Sequence, residues 1–284
     1  MEKKNDTLIN FLENTTLKSM DWVEGLEDRK KEELDFHNFD RDKESEDVIE
    51  KQKEIDVHSN KRFYSITEKQ KIFINDWLKK NITDKVFLDY ACGDGLTSFD
   101  AANHSPEMII GIDISDISVL NAKKQAKQLK LKNCYFFQAD CENTELPDES
   151  VDVILCQGML HHLDLKIAFP ELKRILKKNG KVLCVEALSV NPLIQLYRDS
   201  TPEMRTEWEK AHILGPKDLK FAKKFFHVNQ VKYWYLFSLL AVPFRNTFLF
   251  RPLNTLFSAI DAVFLKIPYL NRLAWQFTFV LNKK

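Results

Sequence analysis

The chain has 284 residues, 44% of them hydrophobic and 12% aromatic, which is enough for a large core and excludes global disorder. Its 42 basic residues balance 42 acidic ones, so no net field gathers a polyanion and nucleic acid is not an expected partner.

In chain order, residues 1–60 are polar and densely charged. Leu8, Phe11, Leu12 and Leu17 are sparse but spaced for short amphipathic helices, so the segment reads as a solvated helical extension. The first residues, Met1 to Asp6, hold no apolar stretch of signal-peptide type. Arg62 to Ile66 then leads into a helix from about Thr67 to Lys80. Thr67 is its expected N-cap, and Ile72, Phe73, Trp77 and Leu78 are its expected buried stripe.

From Lys85 strand and helix alternate, with strands read at about 85–90, 108–113, 133–138, 151–157 and 181–187. Ser115 is expected to cap one intervening helix, and Gly180 to close another at C′. This alternation predicts an α/β fold, a mostly parallel sheet with helices on both faces. Right-handed crossovers then place Asp89, Asp113, Asp140 and Gln157 on one sheet edge, where ligands bind in such folds. The first strand runs into Asp89-Tyr-Ala-Cys-Gly-Asp-Gly95, a Gly-rich turn before a helix, where backbone N–H groups face a ligand. Asp113 ends the next strand, at the distance where such folds hold a ribose by its hydroxyls. The turn lacks the full G-x-G-x-x-G spacing, which disfavours a dehydrogenase.

After Glu186 the reading is a short helix from Asn191 to Arg198, a turn and a second helix, then a strand with a helical tail over 225–242. A helix over 251–266 follows, with Pro252 at its start. Leu253, Leu256, Phe257, Ile260, Phe264 and Ile267 fall on one face of it, with Asn254, Ser258 and Asp261 elsewhere. A last strand runs from Ala274 to Leu281. The longest apolar run, near Tyr233 to Phe244, is too short to span a bilayer. Cys92, Cys134, Cys141, Cys156 and Cys184 lack paired metal-ligand spacing and read as free thiols; no metal is expected, and the expected location is the cytoplasm.

Four segments together resemble class I S-adenosylmethionine (SAM) methyltransferases of the type 11 kind. They are the loop Asp89–Gly95, Gly111-Ile-Asp-Ile-Ser115, Ala139-Asp-Cys-Glu-Asn-Thr-Glu-Leu-Pro147, and Leu160-His-His-Leu163 with Glu171 to Gly180. The likeness covers residues 60–190 well and the ends poorly. Ala91 replaces the usual first glycine; because its Cβ resists a left-handed backbone, ordinary dihedrals are expected there. The resemblance implies a Rossmann-like seven-stranded sheet over 61–284, its core in 61–190. The last two strands form a hairpin that the 251–266 helix interrupts, and 1–60 is a helical extension.

The resemblance also implies SAM as cofactor and S-adenosylhomocysteine as product. Asp113 would accept from the ribose hydroxyls, and Asp89 would reach the methionine ammonium. Gly93, beside Ala91, would allow close approach of the backbone. Ile114 would pack on the adenine, Asp140 and Cys141 would bind its edge, and Gln157 and Tyr64 would line the methionine side. His161 and His162 are the candidate bases; Glu186 and Tyr197 are pocket-wall candidates. His37, within Leu34-Asp-Phe-His-Asn-Phe39, belongs to a segment that resembles a lid element in some members. Tyr197, Arg198 and Arg205 suit either an anionic acceptor or surface salt bridges.

The implied function is methyl transfer to O, N or C of a small biosynthetic intermediate, with residues 191–284 forming the acceptor pocket or a homodimer contact. Two alternatives stand beside it: a peripheral membrane enzyme with a lipid-linked acceptor, laying the 251–266 helix on the membrane, and a SAM-binding protein without catalysis.

Overall fold

The apolar runs Val86–Tyr90 (β1) and Met108–Asp113 (β2) pair in parallel at the centre of the protein, with every residue of both buried. Alternate residues of β1 serve opposite faces: Val86, Leu88 and Tyr90 join one core cluster and Phe87 another. Burial on both faces is why these strands read as continuous hydrophobic runs rather than alternating ones. The computed structural model describes residues 2–15, 17–45, 60–201 and 205–284. The charged stretch 46–59 and the expected turn through 202–204 lie outside the described residues.

Strands β3 (Cys134–Gln138), β4 (Val151–Gln157), β5 (Leu176–Ala187), β6 (Phe226–Trp234) and β7 (Gln276–Lys283) complete a seven-stranded sheet of order β3-β2-β1-β4-β5-β7-β6. The first five strands are parallel, and β7 runs antiparallel to both β5 and β6. The fold is therefore the expected Rossmann-like one, with the last hairpin beside β5.

Eleven α-helices lie within the described residues: α1 (Glu2–Asn14), α2 (Met20–Glu24), α3 (Asp28–Arg41), α4 (Glu68–Asn81), α5 (Leu96–Ala102), α6 (Asp116–Gln128), α7 (Leu165–Ile175), α8 (Pro192–Asp199), α9 (Glu207–His212), α10 (Pro216–Ala222) and α11 (Phe250–Phe264). Ser115 caps α6 through Ser118 N–H at 3.0 Å, and Asn191 caps α8.

Several local expectations are corrected. Thr67 precedes α4 but spends its hydroxyl on Tyr64 C=O, and Ile72 is exposed while Gln70 and Ile74 turn inward. Helix α7 ends at Ile175, and Gly180 sits inside β5. A Cβ there would come within 2.6 Å of the Leu176 side chain and 2.9 Å of Asp152 C=O, so glycine serves close packing rather than a helix cap. In α11 the buried positions are Ser258 and Asp261, while Leu256 and Phe264 are exposed, as is Ile267 just beyond the helix. Asp261 turns inward because it accepts from the backbone N–H groups of Leu236, Phe237 and Ser238. Nor is the N-terminal extension a solvated arm. Leu8 and Leu12 are buried in the core cluster of Val86, Leu88 and Phe137, and Phe11 meets Phe137 edge-on at 5.6 Å.

Candidate functional site

The carboxyl ends of β1, β2 and β4, with the turns that follow them, open into a cavity of about 290 Å³. Asp89, Ala91, Gly93, Asp113, Ile114, Asp140, Cys141 and Gln157 all line it. The loop after β1 is held by Cys92 N–H donating to Ile112 C=O at 2.8 Å. Ala91 has φ 61°, so the expectation of ordinary dihedrals there was wrong. The alanine takes the left-handed backbone at a cost of roughly 1–2 kcal/mol, next to the Cys92–Ile112 hydrogen bond that closes the loop. Gly111 is required by packing, since a Cβ would lie 2.3 Å from Phe136.

Asp113 Oδ2 accepts from Gly93 N–H at 2.8 Å and Oδ1 from Ser115 N–H at 2.9 Å. Those bonds lock the carboxylate and leave each oxygen a further lone pair for a ligand. Asp89 is buried and accepts from Ser98 Oγ at 2.7 Å. Burial pushes its carboxyl up to about 6, against the Ser98 hydrogen bond, and the neighbouring Asp113 adds to the rise. Asp140 departs from its expected role. Its Oδ2 lies 2.6 Å from Lys30 Nζ and its Oδ1 accepts from Glu142 N–H, so an adenine amine would compete with a lysine already in place.

Helix α3 supplies the opposite wall, which sequence reasoning largely missed. Arg29, Glu33, His37 and Arg41 recur every four residues, so one helical face points into the cavity. That spacing was visible, but with so few apolar residues it read as a solvated surface. The helix is tied down along its length: Arg29 and Lys30 pair with Glu142 at 2.6 and 2.8 Å, and Asn38 bonds both Ser115 and Asp116. Burial raises the Glu142 carboxyl, but the hydrogen bonds from Arg29 and Lys30 outweigh it and hold it low.

A second cavity, of about 650 Å³, adjoins the first. His37, Gln157, Gly158 and His162 line both. Its walls come from residues 63–74, the end of β5, α8, α9 and the 236–240 segment, with Trp275. His161, Glu186 and Tyr197 lie here. So does Tyr64, which lines this cavity and not the first, correcting its expected place at the cofactor.

His161 Nδ1 is 2.7 Å from Glu186 Oε2, while Glu186 Oε1 accepts from Met159 and Leu160 N–H. Burial would lower the His161 pKa, but the Glu186 charge and hydrogen bond win and raise it. Glu186 lines the cavity as expected, but it is only 1% exposed and spends its oxygens on this loop, so it also orients His161. His162 Nδ1 is 2.9 Å from Glu33 Oε2, off the line that a hydrogen bond needs, and Thr206 Oγ1 donates to Glu33 Oε1 at 2.8 Å.

Glu33, His37 and His162 bring one possible ligand atom each within 4.8 Å of one another, as do His161, His162 and Glu209. A metal requires neutral imidazoles. The carboxylates raise His37 and His161 above their ordinary pKa against the opposing effect of burial, so a metal would compete with protons there.

The profile of a family described as a methyltransferase domain matches residues 81–235, more than half of the chain. An uncharacterized methyltransferase, YcgJ of Bacillus subtilis, is 33% identical over 100 residues, which are 35% of this chain and 39% of that protein. The demethylmenaquinone methyltransferase of Lactococcus lactis is 28% identical over 123 residues, 42% of this chain and 48% of that one. The matches thus span under half the length of these curated relatives. Among solved structures, geranyl diphosphate C-methyltransferase from Streptomyces coelicolor, in complex with Mg2+, geranyl-S-thiolodiphosphate and S-adenosyl-L-homocysteine, aligns with a TM-score of 0.54. It shares 13% identity over 74% of this chain and 75% of that one, a likeness of fold.

Proposed function

Since the chain belongs to the methyltransferase-domain family, we propose that it transfers a methyl group from SAM to O, N or C of a small-molecule acceptor. The observation that carries this reading is the junction of the two cavities. One is walled by carboxylates and glycines suited to a nucleoside and an amino acid, and the other is larger and mostly apolar.

The residues fit the cofactor. Asp113, locked by two backbone N–H groups with lone pairs to spare, would take the ribose hydroxyls. Ile114 and Cys141 would pack at the adenine. Asp89 and Arg41, both lining the cavity, would take the ammonium and carboxylate of the methionine part. Helix α3 closes over this cavity and acts as the lid, so residues 1–45 belong with the cofactor site rather than forming a separate arm. When bound, SAM supplies a methyl group already activated on a sulfonium. The protein then mainly aligns the acceptor and excludes water. His161, its Nδ1 held by Glu186, presents Nε2 to accept a proton from a hydroxyl or acidic carbon of the acceptor.

Incubation with methyl-labelled SAM and a panel of small-molecule acceptors tests the reading. Label should pass to an acceptor with wild type and fail with Asp113→Ala; labelled product formed equally by both would refute the assignment.

A second reading attaches to α11. Phe248 is 88% and Tyr269 76% exposed, Leu256 and Val263 are exposed on α11, and the exposed cations Arg245, Arg251 and Lys266 flank them in sequence. Exposed apolar groups flanked by cations suit a lipid surface, which would make this a peripheral membrane enzyme. Among the described residues no helix is long and apolar enough to cross a membrane. Sedimentation with anionic liposomes decides: the Phe248→Ser/Val263→Ser variant should stay in the supernatant if this surface binds lipid.

A further inference from the structure

Arg198 stands out in the larger cavity. It is 6% exposed, so its charge has left water, yet among the described residues its side chain makes one hydrogen bond, from Nη1 to Leu188 C=O at 3.0 Å. Among the described residues no carboxylate forms an ion pair with it. Across the cavity, Glu209 is already engaged by Arg205 Nε at 3.5 Å. Arg205 also adds a like charge to Arg198. Burial together with Arg205 pushes the Arg198 pKa down to about 10.

Buried charges in proteins are paired, because an unpaired ion loses its hydration without compensation. A guanidinium brought into a cavity and left with its Nε–Nη2 edge free has the geometry to accept a bidentate oxyanion. Phe63, Leu193, Ile194, Leu239 and Trp275 give the same cavity an apolar wall, beside the polar groups of His161, Glu186, Arg205 and Glu209. Arg198 follows directly from the N-cap at Asn191 and the α8 helix, which swing it back to the end of β5.

We infer that the acceptor is an amphiphilic acid, its carboxylate or phosphate group held by Arg198 and its apolar body lying along the Phe63–Trp275 wall. The inference rests on the methyltransferase reading and narrows its substrate class. At the sequence level Arg198 was equally explained by a surface salt bridge; its burial, with no ion pair among the described residues, removes that explanation.

Calorimetry on the full chain saturated with S-adenosylhomocysteine tests this with three ligands of one chain length: decanoate, decyl phosphate and decanol. At least one anion should bind about tenfold or more tightly than decanol, as expected for charge-assisted hydrogen bonds lost in the alcohol. Preference for decanoate identifies a carboxylate acceptor, and preference for decyl phosphate a phosphate. Arg198→Gln should abolish the preference while leaving S-adenosylhomocysteine binding intact, and Arg198→Lys should retain part of it. Equal binding of all three ligands, or no binding of either anion, overturns the inference, as does an anion preference that survives Arg198→Gln. If wild type fails to bind S-adenosylhomocysteine at all, it is the methyltransferase reading that falls instead.

Discussion

His161 Nδ1 and Glu186 Oε2 stand 2.7 Å apart, joining the turn after β4 to the end of β5. The carboxylate fixes which ring nitrogen carries the proton and turns the other toward the acceptor cavity. Burial opposes protonation, but the Glu186 charge prevails, so the imidazole titrates above 6.5. An NMR titration of the His161 ring should show that midpoint in wild type and a lower one in Glu186→Gln. The neutral, proton-accepting form thus dominates only above the raised midpoint, and activity should rise through it with pH. An unshifted midpoint in Glu186→Gln would remove the positioning role.

The Asp89 pKa is also raised, and its effect is on stability. Its native pKa of about 6 exceeds the ordinary 3.8, so between those values the folded protein holds a proton that the unfolded chain releases. Stability therefore falls as pH rises through that window, by roughly 3 kcal/mol once complete. Asp89→Asn keeps an acceptor for Ser98 and removes the charge. Thermal melts near pH 8 should show the variant more stable than wild type, while its S-adenosylhomocysteine affinity drops. A variant less stable than wild type would contradict the account.

Helix α3 is clamped by Lys30, which meets both Asp140 and Glu142. Both ends of those pairs are largely buried, so removing one partner costs more than breaking an exposed salt bridge. Lys30→Ala should raise the dissociation rate of S-adenosylhomocysteine about tenfold in stopped flow, and amides of residues 28–41 should exchange faster. Unchanged dissociation would mean that α3 is wall and not lid.

Ala91 offers a test of strain. Replacing it with glycine removes the left-handed penalty but adds about 0.5–1 kcal/mol of unfolded-state entropy. Ala91→Gly should therefore be neutral to about 1 kcal/mol stabilising in chemical denaturation. A clear loss of stability would show that the Cβ packs productively.

The sheet and its ligand edge were legible because strand periodicity and the acids ending β1 and β2 are local signals. What escaped was carried by partners distant in sequence. Asp261 looked like the polar side of α11 until the backbone donors of 236–238 gave it a reason to face inward. Glu186 was read as pocket wall and does line the cavity, but its bond to His161 was hidden because it spans two strands. The charged face of α3 looked solvated because ion pairs, rather than apolar periodicity, hold it to the site. Ala91 was misjudged because side-chain propensity was weighed without the loop's closing hydrogen bond.

The most direct measurement is calorimetric binding of S-adenosylhomocysteine to wild type and to Asp113→Ala. Asp113 is locked by Gly93 and Ser115 and makes charge-assisted bonds, so its loss should cost roughly 1.5–3 kcal/mol, about 10- to 150-fold in affinity. Micromolar binding that weakens by that factor supports the assignment of this edge to the cofactor. Absence of binding to wild type, or equal binding to both proteins, would contradict it.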